Sequence, residues 1–246
     1  TWSAWVSKTY HIENKEVTTK NLIPAQNLAK ETSTFIPQSG ELPAPLLFNY
    51  SQEKFELTFI EPQAAIKEVI FKNYQDYKLL LQYGFLLDDK TFNFKKGSIT
   101  SDTVVFVHSD PNKVVTKKFI FSKSNYGIEL EIKIQNLSNA PLSINLPLTL
   151  GALDFSPKNL DARFQDVTVA TKEKTLHFNA RRDMQFAEIK FLSLRDRYFC
   201  AIIEPESNNY TGFIQKINSG KSNIGLSFAD FVLAPGEQIE RKFRIY

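Results

Sequence analysis

The chain has 246 residues, a net charge of +3, 42% apolar and 13% aromatic residues, 21 of them Phe, and one cysteine. Disordered chains are poor in apolar and aromatic residues, so this composition belongs to a protein with a core; the near-neutral charge carries no basic footprint for nucleic acid, and one cysteine excludes an internal disulfide scaffold. The length fits two ordinary domains or one large all-β domain.

Residues 1–50 are rich in Thr, Asn, Gln and Lys and include Pro24, Pro37, Pro43 and Pro45. Beyond Tyr10–Val17 they show little periodicity and read as an extended lead-in, partly strand and partly loop. The start at Thr1, without a charged-then-apolar leader, reads as a processed protein or an excised piece. No run reaches the roughly 18 apolar residues of a membrane helix. The nearest, Leu79–Leu87 (LLLQYGFLL), is broken by Gln82 and Gly84, so the chain reads as a soluble piece.

From residue 51 to 246 the dominant signal is alternation with period two, the side-chain period of a half-buried strand. It predicts strands at Phe55–Ile60, Ala65–Phe71, Val115–Phe121 and Tyr126–Gln135. In the last of these Ile128, Leu130, Ile132 and Ile134 share one face and Glu129, Glu131 and Lys133 the other. Leu142–Leu150 alternates too, with Pro147 marking an edge or bulge. Further strands are expected at Leu176–Asn179, Phe186–Leu194, Tyr198–Glu204, Thr211–Ile217, Asn223–Ala229 and Gln238–Tyr246. Between them lie turn signals such as Ser109-Asp110-Pro111-Asn112 and Ala234-Pro235-Gly236. A short helix or turn is expected near Asn73–Tyr83. More than ten strands without strand–helix alternation predict an antiparallel sandwich, because a single sheet of that size tends to split into two packed sheets.

The chemistry-bearing residues are scattered. His11, His108 and His177 lie far apart, and none has a partner at metal-ligand spacing; all three read as structural or surface residues. Cys200, in YFCAIIEP, has no base partner that would activate it and reads as a buried thiol. Glu129 and Glu131 share a strand face and could flank a bond as acid and base, but charges on the wet face of a strand are the ordinary reading. Lys113, Lys117, Lys118 and Lys123, with Arg181–Arg182 and Arg195–Arg197, would either meet anionic headgroups or a partner, or keep the sheet soluble; the solvated face is the simpler reading. Asn136-Leu-Ser138 and Asn209-Tyr-Thr211 fit a glycosylation pattern common by chance. No nucleotide or nucleophile motif is present, so no catalytic, cofactor or metal residue is assigned and no cofactor is expected.

Several segments carry a family resemblance. Val115–Ile144 (VTKKFIFSKSNYGIELEIKIQNLSNAPLSI) resembles the middle of the periplasmic domain of the bacterial membrane-protein insertase YidC. That family shows a TKTF-x-F-x-(K/R)-G-x-Y stretch, then an alternating strand ending in N-x-(S/G)-x-x-P-L. Thr116, Lys117, Phe119, Phe121, Tyr126, Asn136, Pro141 and Leu142 match, while Ser124-Asn125 stands where the family often has Gly-Asp or Gly-Ser. Phe55–Tyr74 is similar to the domain's opening strand pair, Phe191–Pro205 (FLSLRDRYFCAIIEP) to its (W/F)-(V/I)-(G/A)-x-x-(D/Q)-(K/R/Q)-Y-F segment, and Val232–Tyr246 to its final L-x-P-G strands. The resemblance spans about residues 48–246 in the family's order.

It implies a large antiparallel two-sheet β-supersandwich, galactose-mutarotase-like, with few short helices, over 51–246. It also implies a periplasmic part of an inner-membrane insertase and chaperone, anchored by segments outside this chain. The implied partners are Sec translocon components and nascent membrane proteins; no enzyme activity and no nucleic acid are implied. The alternative is a carbohydrate-binding or mutarotase-like sandwich, which would need a His–carboxylate pair in an open cleft.

Overall fold

The computed structural model describes residues 46–87, 92–157, 159–207, 209–228 and 230–246. His11, the Tyr10–Val17 segment and nearly all of the expected lead-in lie outside the described residues. The strands are β1 (Leu47–Ser51), β2 (Phe55–Ile60), β3 (Ala65–Phe71), β4 (Tyr77–Gly84), β5 (Leu86–Leu87), β6 (Lys95–Ile99) and β7 (Thr103–Ser109). They continue with β8 (Lys113–Phe121), β9 (Ile128–Asn136), β10 (Leu142–Ile144), β11 (Leu148–Asp154), β12 (Asp166–Thr171) and β13 (Thr175–Phe178). The last are β14 (Met184–Phe186), β15 (Ile189–Arg195), β16 (Cys200–Pro205), β17 (Tyr210–Asn218), β18 (Lys221–Phe228), β19 (Phe231–Leu233) and β20 (Gln238–Ile245). Helical structure among the described residues is limited to 3-10 turns at Glu61–Gln63, Lys72–Tyr74 and Ala162–Phe164. None of it is long and apolar enough to cross a membrane.

The fold is the expected antiparallel all-β sandwich. One layer is a nine-stranded sheet in the order β13-β12-β15-β16-β20-β9-β8-β7-β6. Opposite it stand a four-stranded sheet, β1-β2-β3-β4, and a five-stranded sheet, β14-β17-β18-β11-β5. Phe48 and Phe59 of the four-stranded sheet meet Phe106 and Phe119 of the nine-stranded one at ring centroids 5.3–5.8 Å apart. Phe59, Phe106 and Phe119 are fully buried, and each contributes about 1.5–3 kcal/mol by leaving water. Gly151 in β11 marks where the two smaller sheets and the large one crowd together. A Cβ there would sit 2.7 Å from Leu194 Cδ2 of β15 and 3.3 Å from the Leu81 carbonyl of β4, so a side chain would have to push Leu194 aside.

β2 and β3 occupy the segments that alternation predicts. β9 buries Ile128, Leu130, Ile132 and Ile134 and turns Glu129, Glu131 and Lys133 outward. β1 lies across the expected boundary at residue 51, so the first sheet takes in the end of the lead-in. The Leu142–Leu150 segment is divided: Pro147 separates β10 from β11, which belong to different sheets. A residue without an N–H suits the crossing, because no ladder bond is lost there.

The short helix or turn expected near Asn73–Tyr83 is confined to its start: after the 3-10 turn at Lys72–Tyr74, Gln75 and Asp76 take left-handed conformations, and from Tyr77 the chain is strand β4. Leu79 and Leu81 face the core while Leu80 stands outside. Three leucines in a row hid that alternation.

Candidate functional site

Between β2–β3–β4 on one side and β9, β16 and β20 on the other, the layers leave a cavity of about 300 Å³. Leu57, Leu79, Leu81 and Phe85 line its inner part, with Ile128, Ala201 and Ile245 across from them. The wall toward its mouth is aromatic. Phe71 and Phe199 stack with centroids 4.1 Å apart, and Tyr74 meets Phe199 edge-on at 5.2 Å. Tyr126 stands edge-on to Phe71 at 5.5 Å. Tyr74, Tyr198 and Tyr246, which also line it, are 53%, 62% and 52% exposed. The side-chain polar atoms of the lining are tyrosine hydroxyls and the Cys200 thiol.

Cys200 corrects an expectation. It is exposed, because it opens β16 in the phase opposite to buried Ala201, Ile203 and Pro205. Partial burial at the cavity pushes its thiol up, an effect Arg195 partly offsets, so it is not an activated nucleophile. Beside it, Tyr77 donates to Asp196 at 3.0 Å; burial and that carboxylate raise the phenol's pKa.

Lys117 is the second correction. It does not lie on a solvated face: it is 0% exposed, and its Nζ donates to the backbone carbonyls of Ala64 and Phe85, each at 2.5 Å. The rings of Phe94 and Phe119 lie 5.7 and 5.4 Å from the same nitrogen. Ala64 and Phe85 both adopt left-handed conformations, at φ 45° and 63°, which turns their carbonyls away from the strand ladders. Lys117 thus ties the β2–β3 turn and the bend after β4 to the large sheet and anchors Phe85, a cavity residue. The missed signal was the phase of β8: Val115, Lys117, Phe119 and Phe121 share one face.

The other lysines of that group are ion-paired, Lys113 largely covered, Lys118 partly exposed and Lys123 exposed. Lys113 pairs with Asp110 at 3.4 Å, Lys118 with Glu131 at 2.9 Å and Lys123 with Asp102 at 3.9 Å. Glu131 also accepts from Lys242 at 2.8 Å. Partial burial would raise its carboxyl, but the two ammonium groups outweigh that and lower it. With Glu129 3.8 Å from Lys242, Glu129 and Glu131 belong to a charge ladder across β8, β9 and β20. Arg195 pairs with Asp166, and Arg197 stacks on Tyr198 and Phe164. Arg181 and Arg182 line an open hollow of about 510 Å³ together with His177.

His108 is buried. Its Nδ1 accepts the Asn93 N–H at 3.0 Å and its Nε2 donates to Asp110 at 3.1 Å, the hydrogen bonds that assign its tautomer. His177 sits 3.0 Å from the Thr168 hydroxyl. Among the described residues no group of three or more His, Cys, Asp or Glu could hold a metal. Asp110 carries a testable pH effect. Burial raises its carboxyl, but the N–H groups of Asn112 and Lys113 and the His108 ring lower it further, to about 2. A depressed carboxylate stabilises the fold fully above its unfolded value near 4 and loses that contribution as pH falls through about 2. Asp110→Asn should therefore cost about 2 kcal/mol at pH 7 and progressively less between pH 4 and 2, read from urea midpoints.

Comparison with known proteins places this arrangement. The sequence profile of the YidC periplasmic domain matches residues 69–246. The chain belongs to the YidC periplasmic domain family. The match begins within β3, so β1 and β2 precede it. No curated protein matches the chain.

Similar solved structures include a galactose mutarotase-like protein from Lactobacillus casei, at 9% identity and a TM-score of 0.59, covering 81% of this chain and 99% of that one. A galactose mutarotase related enzyme from Lactobacillus acidophilus has 8% identity and a TM-score of 0.61, covering 81% and 96%. A putative aldose 1-epimerase from Escherichia coli has 10% identity and a TM-score of 0.57, covering 82% and 98%. At such identities the likeness is one of fold, and function has to be argued from the site.

Proposed function

We propose that this chain is the non-catalytic, periplasmic part of an inner-membrane insertase and assists the insertion and folding of membrane proteins, alone or with Sec translocon components. The observation that carries the reading is the YidC periplasmic domain match over 69–246. The site agrees with it: a cavity lined by aliphatic and aromatic side chains suits capture of apolar groups, whereas acid–base chemistry needs a positioned pair of titratable groups. The domain then docks partners or holds an emerging segment while the membrane-embedded part performs insertion.

Deleting residues 51–246 from the full-length protein tests this. Insertion of some Sec-dependent substrates should fall severalfold while Sec-independent substrates still insert. Equal failure of every substrate would make the domain part of the core machinery and sink the accessory reading.

A second reading, a carbohydrate-binding sandwich, draws on the mutarotase-like fold. A sugar site needs convergent hydrogen-bonding groups, and the carboxylate that reaches His108 is that of Asp110, beside a buried ring. Detectable heat on titrating monosaccharides into the protein would revive that reading.

A further inference from the structure

We infer that the cavity between the four-stranded and nine-stranded sheets takes an acyl chain of an anionic phospholipid, the domain docking through that mouth on a bilayer surface. The inference rests on the periplasmic reading only in placing a bilayer within reach. Three features of the same site carry it.

The first is the lining. With aliphatic and aromatic side chains inside and the polar atoms restricted to tyrosine hydroxyls and one thiol, a bound group gains by leaving water and has few hydrogen bonds to satisfy. An alkyl chain matches that; an extended peptide would bury backbone N–H and C=O groups that need partners. The volume, about 300 Å³, lies at the small end of ligand sites, which run to about 1,000 Å³.

The second is the rim. Tyr74, Tyr198 and Tyr246 leave half or more of their surface in water around one opening. Rings with an apolar body and a polar tip favour the boundary between hydrocarbon and water.

The third is charge. Lys54 lies 5.9 Å from the Tyr126 ring and Arg197 5.1 Å from the Tyr198 ring, so a cation sits against two of the lining tyrosines. Of the nearby carboxylates, Asp196 accepts from Tyr77 and from the N–H groups of Tyr198 and Phe199, and Asp161 also acts on Tyr77. Glu204 lies 3.5 Å from the Tyr246 hydroxyl, and Asp166 is paired with Arg195. Lys54 donates to the Ser124 carbonyl and Arg197 also lies over Phe164; neither contact neutralises its charge, so both are placed to meet an anionic headgroup while its chain enters the cavity.

Cys200, the single cysteine and a lining residue, provides the probe. The whole chain, labelled there with a small environment-sensitive fluorophore, is mixed with phosphatidylglycerol or phosphatidylcholine vesicles, with and without bromine on the acyl chains. Unlabelled protein is followed in parallel by flotation. The expected result is flotation with phosphatidylglycerol, a blue-shifted label, and quenching by brominated chains. Lys54→Glu with Arg197→Glu, checked for folding by circular dichroism, should weaken flotation at least about tenfold. Tyr74→Ser with Tyr198→Ser should weaken quenching.

Flotation without quenching would show docking by headgroup alone and overturn the acyl-chain site. Absence of flotation would overturn the docking. A label that responds to an apolar transmembrane-segment peptide and not to vesicles would reassign the cavity to protein substrates. None of these results touches the insertion assay, so the two readings fail separately.

Discussion

Replacing Lys117 with Met should lower the stability of the chain by about 2–5 kcal/mol, because two buried carbonyls would lose their donor and each unsatisfied group costs about 1–3 kcal/mol. Methionine keeps most of the volume, so the loss isolates the hydrogen bonds of Nζ to Ala64 and Phe85. Lys117→Ala should cost more, since it adds a cavity among Phe94, Phe106 and Phe119. For a domain of this size the Met variant should melt about 4–20 °C lower.

Buried charged groups are often replaceable by apolar ones without loss. Here the acceptors are backbone atoms that no substitution removes, and that decides the sign. Burial also draws the Lys117 pKa well below the ordinary lysine range. The unfolded chain then binds the proton more tightly than the folded one, so this site's contribution to stability rises with pH toward the ordinary lysine value. The Met variant should lack that rise. Urea midpoints from pH 7 to 10 check both points; a Met variant within 1 kcal/mol of the parent would show that the clamp contributes little.

Asn136 should be nearly as costly to lose. It is buried at the end of β9, and its Nδ2 donates to Ala140 at 2.8 Å, Leu233 at 3.0 Å and Ala234 at 3.2 Å. Its Oδ1 accepts the Ser138 N–H at 2.9 Å and hydroxyl at 2.7 Å. One side chain thus joins the β9–β10 turn to the turn after β19. Asn136→Ala should cost about 2–4 kcal/mol, the price of leaving several of these groups unpaired. Asn136→Asp should cost at least as much at pH 7, since a carboxylate would face three carbonyl oxygens. Part of that loss should return at acid pH, as the carboxyl protonates and regains a donor. Thermal melts of both variants at pH 5 and 8 check the ranking; an Asp variant more stable than the Ala variant at pH 8 would contradict it. The burial of Asn136 also excludes glycan attachment at that triplet in the folded chain, while Asn209 is exposed.

The strands with clean alternation were legible from the residues alone. β9, and β2 up to Phe59, are written in single apolar–polar steps, and such a pattern has one way to present a core face. Strands whose pattern is blurred were missed. β4 carries consecutive leucines, and β6 (KKGSI) is exposed along its length as the edge of the large sheet. β7 and β12 were missed although their alternation is visible: Val104, Phe106 and His108 face inward in β7, as do Val167 and Val169 in β12. Lys117 was misread: a polar residue in the buried phase was assigned to the surface by its chemistry and not by its position.

The cavity could not be read in advance. Its walls come from Phe55–Phe85, Tyr126–Ile128, Tyr198–Ala201 and Ile245–Tyr246, segments that meet only when the layers close. The sequence by itself determined the all-β class, the faces of the best-patterned strands and the family, because alternation and motif order are local properties of the chain. The tertiary structure alone decided that Lys117 meets two backbone carbonyls and that the four-stranded and nine-stranded sheets leave a gap between them. A side chain's phase sets which way it points. What it meets there depends on a distant strand, and that is fixed only when the sheets pack.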